Sequence, residues 1–313
     1  MNGMGHGSCQ TPWTDRSRGS LVRIAIADVP TYETHSVLSR DGITIGYRQL
    51  GAGPGLVLVH GSGQSSQNFM KLAGALADAF TVLIPDRRGR GMSGAFGDDY
   101  ALQTECDDLR AIIAQTGAGF IFGLSSGAVI CLRAALTIPE VVKAALYEPP
   151  LPVGGWSPAF WVDRYDEEVA KGDLASAFVT AMKGTQSVPR FVPRFALVPL
   201  VRLALSRADV SKVGADEVHP LTLITTLHYD AGLVREMESG LEEYRGVAIP
   251  VLLLGGGKSP AYLRRSLDVL ADLLPQCTRV QLPGVGHTAS DNSGKPELVA
   301  RELRAFFGSE PTK

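Results

Sequence analysis

Gly123-Leu124-Ser125-Ser126-Gly127 carries the sharpest chemical signal in the chain. It follows an apolar run at residues 120–122 and opens a nearly all-apolar stretch, so a strand enters a tight turn and a helix leaves it. Glycine stands two positions either side of Ser125, which lets the backbone turn sharply enough to leave the serine hydroxyl clear of the sheet. A hydroxyl so placed is a candidate nucleophile for acyl transfer. It then needs a base for its proton and two backbone N–H groups for the oxyanion. Ser126 supplies one N–H. The other is expected from His60-Gly61-Ser62-Gly63, which closes the apolar run 55–59. Its glycines let the backbone approach, and the Ser62 amide is the expected donor. His60 reads as a residue that orients this loop, not as the base.

The base is expected in Pro283-Gly284-Val285-Gly286-His287-Thr288, between a short strand-like run and the last helical pattern. A histidine on a glycine-flanked loop at that place can swing over the serine. His6 falls in the N-terminal segment, His35 in a hairpin pattern, and His219 and His228 in a helical stretch. None of them joins a late position, a loop after a strand and a flanking glycine, so His287 is the candidate.

These residues need a rigid scaffold. Apolar runs at 55–59, 81–85, 120–124, 142–147 and 251–254, with a weaker one at 279–282, read as strands buried on both faces of a parallel sheet. Helical patterns alternate with them. Phe69, Leu72, Ala73 and Leu76 share one face after Ser65 and Ser66, and residues 127–138 stop before Pro139. Pro296 suits a first helical turn before Val299, Leu303 and Phe306. Residues 35–38 and 43–48 form a hairpin pattern about a two-residue Asp41-Gly42 turn. The fold class is therefore α/β with a mostly parallel sheet. Between residues 151 and 239 the alternation lapses into helical stretches at 159–171, 174–183, 199–206 and 231–244, rich in aromatic residues such as Trp156, Phe160 and Trp161.

Composition sets the outer bounds. The chain has 313 residues, 45% of them hydrophobic, and a net charge of −2, which excludes an electrostatic nucleic-acid binder. No apolar stretch reaches the ~18 residues of a membrane span, so no membrane partner is expected. Cys9, Cys106, Cys131 and Cys277 lie far apart, without the clustering of a structural zinc site. Reduced thiols are expected, in a cytoplasmic protein without metal or other cofactor and with a small-molecule substrate. Residues 1–30 read as a polar, flexible tail.

Asp86-Arg87-Arg88-Gly89-Arg90-Gly91-Met92-Ser93, after the strand at 81–85, joins the serine and histidine motifs in a wider pattern. Over residues 31–310 the chain resembles the α/β-hydrolase fold. The resemblance implies a core of residues 31–150 and 240–313, a helical cap at 151–239, and a Ser–acid–His order along the chain. Serine at the turn argues against the branches that place aspartate there. In many members the acid follows the strand at 251–254, but here Ser259 stands in that place. Asp268 and Asp272 fall within a helical pattern. Asp291 follows His287 and is expected to cap the last helix. Glu148, directly after the strand at 142–147, is the expected acid, with Asp291 as the other candidate. The chemistry implied is ester, lactone or thioester hydrolysis through an acyl-enzyme. The same residues would serve C–C bond hydrolysis or acyl transfer, and a pocket without a working triad would only bind a small ligand.

Overall fold

The computed structural model describes residues 30–207 and 217–309. The tail expected at residues 1–30 and Cys9 therefore lie, but for Pro30, outside the described residues. Eight strands form one sheet: β1 (Glu33–Leu38), β2 (Thr44–Leu50), β3 (Gly55–Val59), β4 (Thr81–Pro85), β5 (Phe120–Leu124), β6 (Lys143–Tyr147), β7 (Val251–Gly256) and β8 (Cys277–Leu282). Their spatial order is β1-β2-β4-β3-β5-β6-β7-β8. Only β2 breaks the parallel sense, running antiparallel to both β1 and β4. The helices are α1 (Met70–Gly74), α2 (Leu102–Thr116), α3 (Ser126–Thr137), α4 (Val162–Ala170), α5 (Leu174–Gly184), α6 (Arg194–Ser206), α7 (Pro220–Thr225), α8 (Leu227–Glu236), α9 (Ala261–Leu273) and α10 (Pro296–Phe307).

The unbroken apolar runs have a direct physical cause. Successive side chains of a strand point to opposite faces, and both faces of this sheet are covered. Val57, Val59, Ile121 and Leu253 pack with α2, α3 and α9 through Ile112, Ile130 and Leu267. Leu56, Leu58, Phe122 and Leu254 pack on the other side with α1 and α10 through Leu72, Val299 and Leu303. Each fully buried aliphatic side chain contributes about 1.5–3 kcal/mol of hydrophobic stabilisation.

Several local expectations are revised. The hairpin has a three-residue connection: Ser39 N donates to Ile43 O (2.8 Å), and Gly42 takes a left-handed φ of 82°. That geometry matches a type I turn followed by a left-handed glycine. The Ser65 hydroxyl has no hydrogen-bond partner, and the cap comes instead from Asn68 Oδ1, which accepts from Ser65 N. α2, absent from the sequence reading, buries Leu102, Cys106, Leu109, Ile112 and Ile113. α6 begins at Arg194, five residues ahead of Pro199, so the proline sits inside the helix. Its missing N–H orphans the Phe195 carbonyl, and Phe195 is exposed, so water can satisfy that acceptor.

No strand of the sheet falls among the described residues of 151–239. α4, α5 and α8 share a small core through Trp161, Val162, Tyr165, Ala177, Leu227 and Val234. α8 also reaches the main core, where Leu233 and Met237 are buried beside α3 residues. Among the described helices of the insertion, it is the one with residues in both cores.

Candidate active site

Ser125 sits between β5 and α3 with φ 55° and ψ −122°, a strained backbone for a residue with a Cβ. The surrounding structure enforces it. A Cβ on Gly123 would lie 2.3 Å from Gly127 O, and one on Gly127 would lie 2.3 Å from Val59 O. Neither site admits a side chain, so the turn presses directly on the end of β3. Ser125 N donates to Tyr147 O at 2.9 Å, which ties the turn to β6.

Glu148 follows β6 and also has a left-handed φ, 49°. Its side chain is fully buried. Oε1 accepts from Gly256 N at 2.6 Å, and Oε2 lies 2.7 Å from His287 Nδ1. The imidazole is thereby oriented through Nδ1, leaving Nε2 for another partner. Tyr147 steadies the histidine loop by donating its hydroxyl to Gly286 O at 2.8 Å. Burial, followed by the nearby Glu148 charge, raises the Tyr147 pKa, so it remains a donor. Asp291 lines the same cavity but is held by other partners than His287: its Oδ2 accepts from Gln64 Nε2 (2.7 Å) and Asn68 Nδ2 (3.3 Å). The cap expected from Asp291 is also absent, because the residue preceding α10 at its N-cap is Lys295. Asp268 and Asp272 are exposed on α9, Asp268 pairing with Arg279.

The loop after β3 brings Ser62 beside Ser126, with Ser62 Oγ donating to Ser126 Oγ at 3.1 Å. Ser126 opens α3, so its N–H has no acceptor within the helix. His60 is wholly buried; its Nε2 accepts from Arg87 N at 3.2 Å, so its proton rests on Nδ1, which donates to Gly61 O at 3.0 Å. Burial, then Arg90 and Arg87, holds its pKa well below the ordinary histidine value.

Sequence reasoning missed a buried charge cluster under this loop. Arg87 reaches Asp230 Oδ1 (2.7 Å), Glu105 Oε1 (2.9 Å) and Ser126 Oγ (3.0 Å), while Arg90 reaches Asp230 Oδ2 (2.6 Å). Burial pulls both guanidinium groups down, but Glu105 and Asp230 carry Arg87 above its ordinary value while Arg90 stays below its own. Both arginines belong to the motif after β4. Asp86 itself accepts from Ser66 N (2.8 Å) and Met92 N (3.0 Å), holding two loops together.

Ser125, His287, Ser62 and Asp230 all line one cavity of about 390 Å³. Its remaining wall is largely apolar, with Trp161, Phe178, Met182, Leu227 and Val234 from the insertion. Phe160, by contrast, points outward and is 57% exposed. Cys106 and Cys131 are free and buried away from the cavity. Among the described residues no group of three or more His, Cys, Asp or Glu side chains could hold a metal ion, and no helix is long and apolar enough to cross a membrane.

Residues 56–302 match the model of the alpha/beta hydrolase family. The chain is 25% identical over 269 residues to 2-(acetamidomethylene)succinate hydrolase of Mesorhizobium japonicum, an alignment covering 85% of this chain and 92% of that one. Among solved structures, an alpha/beta hydrolase from Sphaerobacter thermophilus superposes with a TM-score of 0.70 at 32% identity, covering 87% of this chain and all of the other. The enol-lactonase from Burkholderia xenovorans shares the fold with a TM-score of 0.62 at 19% identity, covering 88% of this chain and 100% of that one.

Proposed function

We propose that this chain, which belongs to the alpha/beta hydrolase family, is a serine hydrolase acting on an uncharged ester, lactone or thioester with an apolar acyl group. The observation that carries the reading is the 2.7 Å contact between His287 Nδ1 and the buried Glu148 carboxylate, with Ser125 and His287 lining the same cavity. In this mechanism His287 Nε2 takes the Ser125 proton as Oγ attacks the acyl carbon. The negative charge that develops on the carbonyl oxygen is received by the Ser62 and Ser126 amides. His287, now an imidazolium stabilised by Glu148, gives its proton to the leaving oxygen or sulfur. A water then attacks the acyl-enzyme with His287 again as base, releasing the acid and free Ser125.

Residues 151–239 serve as a lid over this site, since α5, α8 and the segment leading into α4 (Pro158, Ala159 and Trp161) contribute most of the apolar wall. The substrate class follows from that wall. Among its described residues there is no Lys or Arg, and its two charged residues are Asp230 and Asp291. A negatively charged acyl group would find no cation to pair with there, since Arg87 and Arg90 lie beneath the loop and are already held by Asp230. The Mesorhizobium relative is named for a succinate derivative, and this cavity offers no cation for such a group.

The test is hydrolysis of p-nitrophenyl esters of graded chain length, and of lactones, alongside labelling by a fluorophosphonate probe. Neutral medium-chain esters should turn over and the probe should label Ser125. Ser125→Ala should lower kcat by about 10⁶ with little change in melting temperature, as when a triad member is removed. A folded wild-type protein that neither labels nor turns over any acyl substrate would overturn the reading.

A further inference from the structure

Among the described residues Asp230 is the one carboxylate that the insertion sends under the loops after β3 and β5, and it is 1% exposed. Oδ1 accepts from Arg87 Nη1 (2.7 Å) and from Ser126 Oγ (3.2 Å). Oδ2 accepts from Arg90 Nη2 (2.6 Å) and from Gly63 N (3.4 Å). The Ser126 hydroxyl is in turn saturated. It gives its single proton to Asp230 and accepts from Arg87 (3.0 Å) and Ser62 Oγ (3.1 Å), which uses both lone pairs.

We propose that Asp230 is a positioning residue that sets the register of the oxyanion hole and makes that hole depend on docking of the insertion. The proposal rests on the serine-hydrolase reading, because it concerns the amides of Ser62 and Ser126. Those amides belong to different elements, the loop after β3 and the start of α3. The start of α3 packs against the end of β3, but Ser62 lies beyond that contact on the loop, where side-chain hydrogen bonds fix it against α3. Asp230 spans the gap. It holds Gly63, next to Ser62, through the backbone, and holds Ser126 through the hydroxyl; Ser62 is then tied to Ser126 by their own bond.

A carboxylate beneath an oxyanion would ordinarily oppose the reaction. Here Arg87 and Arg90 cancel its charge, and Glu105 balances the second guanidinium, so the cluster of four is formally neutral. Asp230 therefore contributes geometry without adding net negative field. α8 carries it, and among the described helices of the insertion α8 is the one with residues in both cores. An insertion displaced from the core takes Asp230 with it, and the two donors lose their common anchor.

The experiment compares Asp230→Asn and Ser126→Ala, singly and together, with kcat normalised to sites titrated by the fluorophosphonate probe so that only folded, reactive enzyme is counted. Ser126→Ala keeps the backbone amide and removes only the hydroxyl, so it remains informative if Asp230→Asn folds poorly. Each variant should lower kcat by ~10–100-fold, up to the loss seen when one oxyanion donor is removed, with KM within about threefold of wild type. Because both act through one chain of bonds, the double variant should be no worse than about threefold below the more damaged single. Retention of wild-type kcat by Ser126→Ala, additive losses, or a loss confined to KM would each overturn the proposal. Failure of wild-type protein to label at Ser125 is a different result and would strike the serine-hydrolase reading itself.

Discussion

Two buried carboxylates support the same cavity, Asp230 by lining it and Glu148 through His287, and they are held in opposite ways. Glu148, from the sheet, sits on a left-handed backbone with one amide and one imidazole as partners. Among the described residues no Lys or Arg pairs with it. Asp230, from the insertion, sits on a regular helix and is gripped by two arginines. The difference separates two kinds of work. A carboxylate whose only cationic partner is a histidine gains most when that histidine becomes charged, so its stabilising effect rises during the reaction. A carboxylate already neutralised by two guanidinium groups has little further charge to offer and acts by holding atoms in place. Strain is stored at Glu148, and structure is anchored at Asp230.

The contrast is broken most directly by removing each charge while keeping each shape. Glu148→Gln should lower kcat by ~10⁴, the loss expected when the acid of a triad becomes an amide. Its stability should change little, because the Gln carbonyl oxygen can still accept from Gly256 N. Asp230→Asn should do the reverse. Its loss in turnover is smaller, but it leaves two guanidinium groups with one remaining buried carboxylate, and breaking a buried pair costs about 3–5 kcal/mol. Turnover and urea unfolding measured on both variants would rank them in opposite order. The same ranking in both assays would abolish the distinction, and a mild Glu148→Gln with a severe Asp291→Asn would move the acid to the loop after His287.

How far each side was legible from sequence follows the same division. The proposed roles of Ser125 and His287 were legible because glycines mark both turns: Gly123 and Gly127 flank the serine, and Gly284, with a left-handed φ of 76°, precedes the histidine. Gly123 and Gly127 have no room for a Cβ. Glu148 was reachable by elimination, since Ser259 occupies the other usual position. Asp230 leaves no local trace. Its partners Arg87 and Arg90 lie 143 and 140 residues away in sequence, and an aspartate within a helical pattern ordinarily reads as a solvated face. The sheet strands were legible because burial on both faces removes polar residues. α2 carried an apolar face in Leu102, Cys106, Leu109, Ile112 and Ile113, but polar residues between them diluted the pattern. The start of α6 was obscured by Pro199, which the helix tolerates only because it lies at the surface.

A smaller effect sharpens the comparison through the two histidines. His287 pairs with a carboxylate, whereas His60 lies under Arg87 and Arg90 and is kept neutral by burial and by their charge. Its folded pKa is lowered, so the unfolded chain binds the proton first as pH falls. The associated stability is fully present above the unfolded value of about 6.5 and is lost as pH drops below it, by at most ~1.4 kcal/mol per pH unit. His60→Gln, whose side chain can accept from Arg87 N, should flatten the wild-type decline in unfolding free energy between about pH 6.5 and 5 by up to one proton's worth. An unchanged slope would mean that His60 titrates normally in the folded protein.

The smallest effect is expected at Ser259, the position where the resemblance would place the acid. Its hydroxyl is buried and has no hydrogen-bond partner. Its backbone carbonyl accepts from Arg264 at the start of α9, and its N–H donates to Gly256 O at 3.1 Å. Those backbone bonds hold the turn after β7 whatever the side chain. A buried hydroxyl left unpaired costs about 1–3 kcal/mol relative to a satisfied one, so removing it relieves a penalty while opening a void of one oxygen atom. Ser259→Ala should therefore leave kcat and KM within about twofold of wild type and leave stability unchanged or raised by up to ~1 kcal/mol. The measurement is steady-state turnover beside urea unfolding. A tenfold loss of kcat in a stable variant would show that the Ser259 hydroxyl reaches His287 during turnover, and Glu148 would no longer be sufficient as the acid.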